Sequence, residues 1–193
     1  MSEPKVQNTE TAIRKAAEAE FFEKGYAGAR TVSIAEKAGV THSMLHYYFR
    51  TKEQLFNKII EDKFNLLANS VLAIFTDTNL PLKERLSKGI SVHFDFLMEN
   101  PLLPKFLVRE IDHVDHILVA KIFPKMVTAM QLTQPEIDFD IRHLLLDIMA
   151  QNIFPFLVYP LTEKMGFLSE GREVFMEQIK QENITIIMKR LGL

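Results

Sequence analysis

Apolar residues recur every three or four positions along almost the whole of this 193-residue chain, and runs that alternate apolar with polar residues are scarce. The first pattern is that of amphipathic helices and the second is that of half-buried strands. We therefore predict an all-α protein of roughly nine helices. The length suits one medium domain or a small domain joined to a larger one.

The N-terminal part reads as three helices. The first is predicted from about Thr9 to Lys24, with Gly25 as its C-terminal cap. A short helix follows over Thr31–Ala38, Gly39 supplies a tight turn, and a second short helix covers Thr41–Phe49. Thr31 and Thr41 are the expected N-caps of these two helices. The succession of helix, turn and helix is the pattern of a helix-turn-helix motif.

A longer helical region follows. Thr51 and Gln54 form a capping box that opens a helix to about Phe75. Pro104, Pro124, Pro155 and Pro160 are expected to interrupt or kink the region after it. Further helices are predicted at Leu82–Glu99, Pro101–Ile111, Val114–Gln131, Asp140–Tyr159 and Glu170–Leu191.

These helices predict a small N-terminal domain and a larger C-terminal one. We expect a flexible arm over residues 1–8, a DNA-binding domain over 9–50, a connecting helix over 51–76 and a C-terminal domain over 77–193. The chain has no cysteine, as is usual in a reducing cytosol, and its start does not resemble a signal peptide. Polar residues interrupt the apolar stretch from His143 to Leu161. We therefore expect a soluble, cytoplasmic protein with no membrane partner.

The two short helices carry the clearest functional signal. Ile34, Ala35, Leu45 and Phe49 are expected to pack the motif together, which leaves the other face of the second helix exposed. Residues near the start of a recognition helix meet base edges in the major groove, whereas hydroxyl and ammonium groups at helix ends suit phosphates. The candidate base contacts are His42, Ser43 and His46, and the other candidate DNA contacts are Thr31, Ser33, Thr41, Tyr47, Tyr48 and Lys52.

Several motifs in this region occur in order and at the spacing of a known family. They are Phe22-Glu-Lys-Gly-Tyr26, Thr31-Val-Ser-Ile-Ala35, Ala38-Gly-Val-Thr41, Leu45-His-Tyr-Tyr-Phe49 and Lys52-Glu-Gln-Leu-Phe56. Over about residues 10–60 the chain resembles the tetracycline-repressor (TetR) family of transcriptional regulators. The resemblance implies a homodimer that binds double-stranded operator DNA and is released by a small-molecule effector, with no cofactor. His46 and Met44 depart from the family's usual residues, so the operator sequence cannot be transferred.

The C-terminal part offers candidates for an effector pocket. Methionine and phenylalanine side chains can line an adaptable apolar pocket, although such stripes more often fill a core. Asp147 and Asn152 lie on an apolar segment and could bind an effector, or be satisfied within the protein. The candidate pocket residues are His93, Phe94, Phe96, Leu97, Phe106, Arg109, Phe123, Met126, Asp147 and Asn152.

The last two predicted helices carry broad apolar stripes that suit a four-helix bundle across a two-fold axis, or burial within one subunit. Asp112, His113, Asp115 and His116 could bind a metal, but a solvated helix start explains them better. The alternative function is an all-α enzyme or a ligand-binding protein with a His–carboxylate site, for which no nucleophile or phosphate loop is found. The candidate dimer residues are Leu144, Ile148, Phe175, Ile179, Ile186 and Ile187.

Overall fold

The computed structural model describes residues 3–113, 124–131, 140–166 and 170–193. Within these ranges there are nine helices and no strand, so the all-α prediction is confirmed. The helices are α1 (Glu3–Gly28), α2 (Thr31–Lys37), α3 (His42–Tyr48), α4 (Lys52–Phe75), α5 (Leu82–Glu99), α6 (Leu103–Arg109), α7 (residues 124–131), α8 (Ile141–Lys164) and α9 (Arg172–Leu191).

Helix ends set by local side chains agree best with the sequence. Thr41 accepts a hydrogen bond from the Met44 N–H at 3.2 Å, and Thr51 accepts one from the Gln54 N–H at 3.0 Å. Both threonines are therefore N-caps as predicted. The N-cap of α2 is Arg30, without a side-chain bond, so the assignment of Thr31 was one residue late.

Helix α1 differs from the prediction at both ends. It begins at Glu3, so most of the predicted arm over residues 1–8 is helical. Gly25 has a φ of 75° inside the helix, and the helical assignment resumes beyond it to Gly28. A side chain there would be strained, and its Cβ would lie 2.6 Å from Glu110 Oε1. Gly25 therefore introduces a kink where we predicted the end of the helix.

The described chain forms two compact units whose boundaries differ from the predicted domains. Unit 1 comprises residues 1–64 and 106–118, and unit 2 comprises residues 65–105 and 119–193. The boundaries fall inside α4 and α6, so each of these helices contributes to both units. Contacts that are distant in sequence decide this division, which is why helix periodicity did not predict it.

Unit 1 has an apolar core contributed by α1 to α4. Phe21 packs edge to face on Phe56, with ring centroids 5.2 Å apart, and Phe106 lies 5.7 Å from Phe56. Burying aromatic rings removes a large apolar area from water. Other fully or nearly fully buried apolar side chains here include Ile13, Ala17, Ile34, Leu45, Leu55, Ile59 and Ile60.

Unit 2 has its own core, built from the C-terminal half of α4 and from α5, α7, α8 and α9. Gly89 of α5 lets the Phe75 ring approach closely, since a Cβ there would lie 2.6 Å from that ring. The buried residues of this core are Val71, Phe75, Leu86, Ile90, Met130, Ile141, Leu144, Leu145, Ile148, Ile187 and Met188.

Helix α8 continues through Pro155, as the predicted helix Asp140–Tyr159 does, and also through Pro160, beyond the predicted end. Proline has no N–H, so Pro155 leaves the carbonyl of Gln151 without its usual helical donor. Asn183 of α9 supplies the missing bond, because its Nδ2 donates to that carbonyl oxygen at 2.9 Å. A side chain from the neighbouring helix thus satisfies the backbone that the proline leaves open.

Among the described residues, α8 is the one helix long and apolar enough to cross a membrane by length and composition. Core helices of soluble proteins pass the same test, so this is weak evidence for a membrane segment. In its most apolar window 33% of the residues are buried within the chain. Much of the helix therefore remains uncovered by this subunit.

Candidate DNA-binding site

The helix-turn-helix has the geometry that its sequence predicts. Gly39 adopts a φ of 68° in the turn, and the Val40 N–H donates to the Ala35 carbonyl at 3.0 Å. Ile34 and Leu45 are fully buried between the helices. The remaining face of α3 is consequently free of the core.

The exposed face of α3 carries polar and aromatic side chains. Successive helical residues are turned by about 100°, so Ser43 and Tyr47 lie opposite the buried Leu45, with Met44 and His46 on either side. Tyr47 is 82% exposed, and Thr41, His42, Ser43, Met44 and His46 are exposed as well. Tyr48 is half-buried, with its ring edge to face against Tyr47. The structure thus brings most of the predicted DNA contacts to one surface.

Two histidines of this surface are tied to neighbouring groups. His42 Nε2 lies 3.0 Å from the Thr31 hydroxyl, which links the starts of α3 and α2. His46 Nδ1 lies 3.3 Å from the carbonyl oxygen of Arg50. The two rings meet edge to face, with centroids 4.4 Å apart. These contacts restrict the rotamers of both histidines before any ligand arrives.

A buried carboxylate fixes α2 against α1. Glu20 is fully buried and accepts hydrogen bonds from Lys24 at 2.8 Å, Lys37 at 2.6 Å and Ser33 at 3.2 Å. Burial opposes its ionisation, but the bonds from Lys24, Lys37 and Ser33 outweigh it and lower the pKa of Glu20 to about 2. Because the Ser33 proton is used by Glu20, we correct the prediction that Ser33 contacts phosphate.

Replacing Glu20 with glutamine is expected to destabilise the protein by about 1–3 kcal/mol at neutral pH, because a neutral amide loses the charge-assisted bonds. Chemical denaturation at pH 7 measures this difference. Glu23→Gln is the matched control, since Glu23 is exposed and meets Lys37 only at 3.6 Å. Equal stability of the two variants would contradict the role assigned to Glu20.

Lys52, a predicted phosphate contact, also bonds within the protein. Its Nζ donates to the carbonyl oxygens of Tyr26 at 2.7 Å and Ala29 at 3.2 Å, and it lies 4.6 Å from the Tyr26 ring centroid. A cation at carbonyls near the end of a helix neutralises their partial negative charge. Lys52 thus stabilises the end of α1, and its third N–H leaves the phosphate contact a prediction.

Two exposed cationic side chains near the helix-turn-helix were not among the DNA contacts predicted from the sequence. Arg30 precedes α2 and Arg50 follows Phe49 at the end of α3, and both are exposed. Guanidinium groups suit phosphate oxygens because they can donate two parallel hydrogen bonds. Their positions on either side of the helix-turn-helix are the sequence feature that could have indicated this role. They replace Ser33 and join Lys52 as candidate phosphate contacts.

Two predicted pocket residues, Phe106 and Arg109, belong to unit 1. Phe106 packs against Phe22 with ring centroids 4.5 Å apart. Arg109 donates from Nη2 to the carbonyl oxygens of Phe21 at 3.1 Å and Phe22 at 3.3 Å. Its Nε donates to the buried Glu110 at 2.7 Å. These side chains hold the end of α6 on α1, so we correct their assignment to an effector pocket.

Asn152 and His93 form a buried polar network in unit 2. Asn152 Nδ2 donates to the Ile90 carbonyl at 3.0 Å and to His93 Nδ1 at 3.1 Å. Its Oδ1 accepts from Asn183 Nδ2 at 3.0 Å. Burial lowers the pKa of His93 to about 4. Asn152 is thus satisfied within the protein, the second of the two interpretations that the sequence left open.

The other predicted pocket residues are packed or paired. Asp147 forms an ion pair with Arg190, and Phe94 packs against Phe156 with centroids 5.2 Å apart. Phe96 and Leu97 are buried, and Met126 is partly buried against the core of unit 2. Phe123 lies outside the described residues. The pocket prediction therefore stays a prediction for Phe94, Phe96, Leu97 and Met126.

Half of the predicted dimer contacts are core residues of one subunit. Leu144, Ile148 and Ile187 are buried in unit 2, so they are corrected to the core. Phe175 and Ile179 are half-buried, and Ile186 is exposed. The alternating sides of an apolar helix could not be told apart from the sequence alone.

The structure does not test the metal site that was the weaker interpretation of Asp112, His113, Asp115 and His116, because part of it lies outside the described residues. His113 packs on Tyr26, with ring centroids 4.7 Å apart. Asp115 and His116 lie outside the described residues.

Comparisons with known proteins agree with this geometry. Residues 13–59 match the family described as bacterial regulatory proteins, tetR family. The uncharacterized HTH-type transcriptional regulator YdgC of Bacillus subtilis (strain 168) is 29% identical over 96 residues, which cover 48% of this chain and 49% of that protein. The match therefore spans about half the length of that relative.

Solved structures match over nearly the whole chain. The structure of the transcriptional regulator SCO4942 from Streptomyces coelicolor matches with a TM-score of 0.73 at 19% identity. The match covers 94% of this chain and 97% of that one. A TetR family transcription regulator from Marinobacter aquaeolei VT8 has a TM-score of 0.69 at 16% identity, covering 93% and 95%. Because their identities to this chain are low, these structures establish the fold alone. It is that of a helix-turn-helix domain joined to a larger helical domain.

Proposed function

We propose that this chain, which has the TetR-family fold and the N-terminal helix-turn-helix domain of that family, is a homodimeric repressor of transcription. It would bind a palindromic operator and be released by a small-molecule effector in unit 2. The observation that carries the proposal is the exposed face of α3, where His42, Ser43, His46 and Tyr47 stand clear of the core.

The chemistry of this face fits double-stranded DNA. Hydroxyl and imidazole groups can exchange hydrogen bonds with base edges, and α3 presents them along one side of a short helix. Arg30 and Arg50 flank the motif and provide positive charge for phosphates. The net charge of the chain is −2, so attraction to DNA must come from this local arrangement.

Binding to the DNA upstream of its own gene is expected to weaken steeply with salt, because cations on the protein displace counterions from phosphates. For about six neutralised phosphates per dimer, the log–log slope is about −5. Fluorescence anisotropy between about 50 and 200 mM salt measures it. Tyr47→Ala should lower the affinity at least about tenfold while leaving stability nearly unchanged, because Tyr47 is so exposed.

Leu102→Ala is the matched control for Tyr47→Ala, since Leu102 is exposed and outside the helix-turn-helix. It should bind like the unaltered protein. A salt-independent affinity, or equal binding by both variants, would contradict the proposal. In that case a ligand-binding role for unit 2 without DNA becomes the better interpretation.

The homodimer is supported by apolar side chains that α8 leaves uncovered. Leu146, Phe154 and Leu161 are 55%, 62% and 60% exposed, and Met149 is partly exposed. Successive turns place Leu146, Phe154 and Leu161 within about 80° of one another on the helix. An apolar face of this kind marks an interface, and a two-fold axis would pair it with itself. Ile186 of α9 is exposed as well, and of the sequence-predicted contacts it fits best.

Release by an effector is supported by the course of α6. This helix begins in unit 2 and ends in unit 1, where Arg109 donates hydrogen bonds to the carbonyl oxygens of Phe21 and Phe22. We expect an effector that binds unit 2 to release the protein from its operator. A compound that acts in this way should raise the melting temperature of the free protein and lower its anisotropy signal with operator.

The proposed activity places the protein in the cytoplasm, where operator DNA is accessible. An enzymatic function is the weaker alternative, because His93 is buried and bonded to Asn152, and His113 packs on Tyr26. Neither histidine is paired with a candidate nucleophile in the parts of the chain that the structure describes.

A further inference from the structure

His46 stands beside the outermost residues of α3 and is exposed. One helical step places it about 100° from the buried Leu45, next to the line formed by Ser43 and Tyr47. A side chain at this position reaches a base edge if α3 lies in a major groove. The hydrogen-bonding state of its free ring nitrogen would then decide which bases it accepts.

One contact of the ring bears on that state. His46 Nδ1 lies 3.3 Å from the Arg50 carbonyl oxygen, and a carbonyl oxygen can only accept a hydrogen bond. Nδ1 must therefore carry the proton. In a neutral imidazole the other nitrogen, Nε2, then has no proton and is an acceptor.

The ring is also held in place. The His42 ring meets it edge to face at 4.4 Å, and His42 is in turn held by the Thr31 hydroxyl at 3.0 Å. A ring fixed before binding loses little rotamer freedom when DNA arrives. His46 thus offers one preorganised acceptor on the exposed side of α3.

In the major groove the exocyclic amino groups of adenine (N6) and cytosine (N4) are the hydrogen-bond donors, whereas guanine and thymine present acceptors at the corresponding positions. We propose that His46 is a specificity-determining residue whose Nε2 accepts a hydrogen bond from adenine N6 or cytosine N4 at one position of each operator half-site. The assignment rests on the proposed DNA-binding function. It adds the class of base that this residue selects.

Selection from a library of randomised DNA duplexes tests the proposal. The unaltered protein should enrich adenine or cytosine at one position per half-site. His46→Ala should lose the preference at that position and keep the others, and His46→Arg, which can only donate, should shift it to guanine. Leu102→Ala is the control, because Leu102 is exposed and lies outside the helix-turn-helix.

A base analogue isolates the single hydrogen bond. Replacing the selected adenine with unsubstituted purine, or the selected cytosine with pyrimidin-2-one, removes only the amino group. The affinity of the unaltered protein should fall about fivefold per half-site, the effect of one hydrogen bond. The affinity of His46→Ala should not change.

The outcomes separate this inference from the function on which it rests. Sequence-specific binding with the same base preferences in the unaltered protein and in His46→Ala would overturn the role of His46 alone. Guanine or thymine at the position that His46→Ala relaxes would also overturn it. Absence of any DNA binding at low salt would overturn the proposed function and this assignment together.

Discussion

Phe154→Glu is expected to convert the proposed dimer into monomers and to lower operator affinity by at least about 100-fold. Phe154 is 62% exposed in the subunit and lies between Leu146 and Leu161 along the uncovered side of α8. An unpaired carboxylate buried at an interface costs about 3–5 kcal/mol, and two-fold symmetry introduces it twice. Each monomer would then bind a single half-site, and the affinity gained by binding both half-sites at once would be lost.

Analytical ultracentrifugation measures the oligomeric state, and anisotropy with operator DNA measures the affinity. Phe154→Leu is the control, because it keeps an apolar side chain and should remain dimeric. Circular dichroism should show that both variants retain their helices, since the position is exposed within the subunit. A Phe154→Glu protein that is still dimeric would show that another surface forms the dimer.

Acidification from pH 7 to pH 4 is expected to remove about 3 kcal/mol of stability through His93 alone. Burial lowers the pKa of this residue from 6.5 to about 4. Below pH 6.5 the unfolded chain therefore binds a proton that the folded protein excludes. The stability that the neutral form of His93 contributes is complete above pH 6.5 and is lost as the pH falls toward 4.

The surroundings of His93 explain why its charge is excluded. His93 Nδ1 accepts a hydrogen bond from Asn152, whose amide also donates to the Ile90 carbonyl. A proton on Nδ1 would place two donors against each other inside unit 2. The neutral ring is consequently the form that fits the fold.

Urea denaturation at fixed protein concentration over this pH range measures the effect. His93→Gln keeps an acceptor for Asn152 and does not titrate, so its loss of stability should be smaller by about 3 kcal/mol. The exposed Leu102→Ala is the control and should follow the unaltered protein. Equal losses in all three proteins would refute the role of His93. Protonation of Glu20 belongs to a lower range, between its ordinary pKa of 4.5 and about 2.

The sequence alone predicted the features that depend on neighbouring residues. Thr41 and Thr51 cap their helices through residues three positions away, and Gly39 takes the positive φ that a tight turn needs. The α5 boundaries, Leu82 and Glu99, were predicted without error. Local hydrogen bonds and helical periodicity are sufficient for such assignments.

Contacts distant in the sequence decided the rest. The partners of Ser33, Lys52 and Arg109 lie 13, 26 and 88 residues away, and they give these predicted binding residues structural roles. Helix α8 is apolar on several sides, so periodicity could not separate the buried Leu144 from the exposed Leu146. The sequence determined the helices and the helix-turn-helix, whereas only the tertiary structure decided which side chains remain free to bind, because that depends on which polar groups meet when the helices pack.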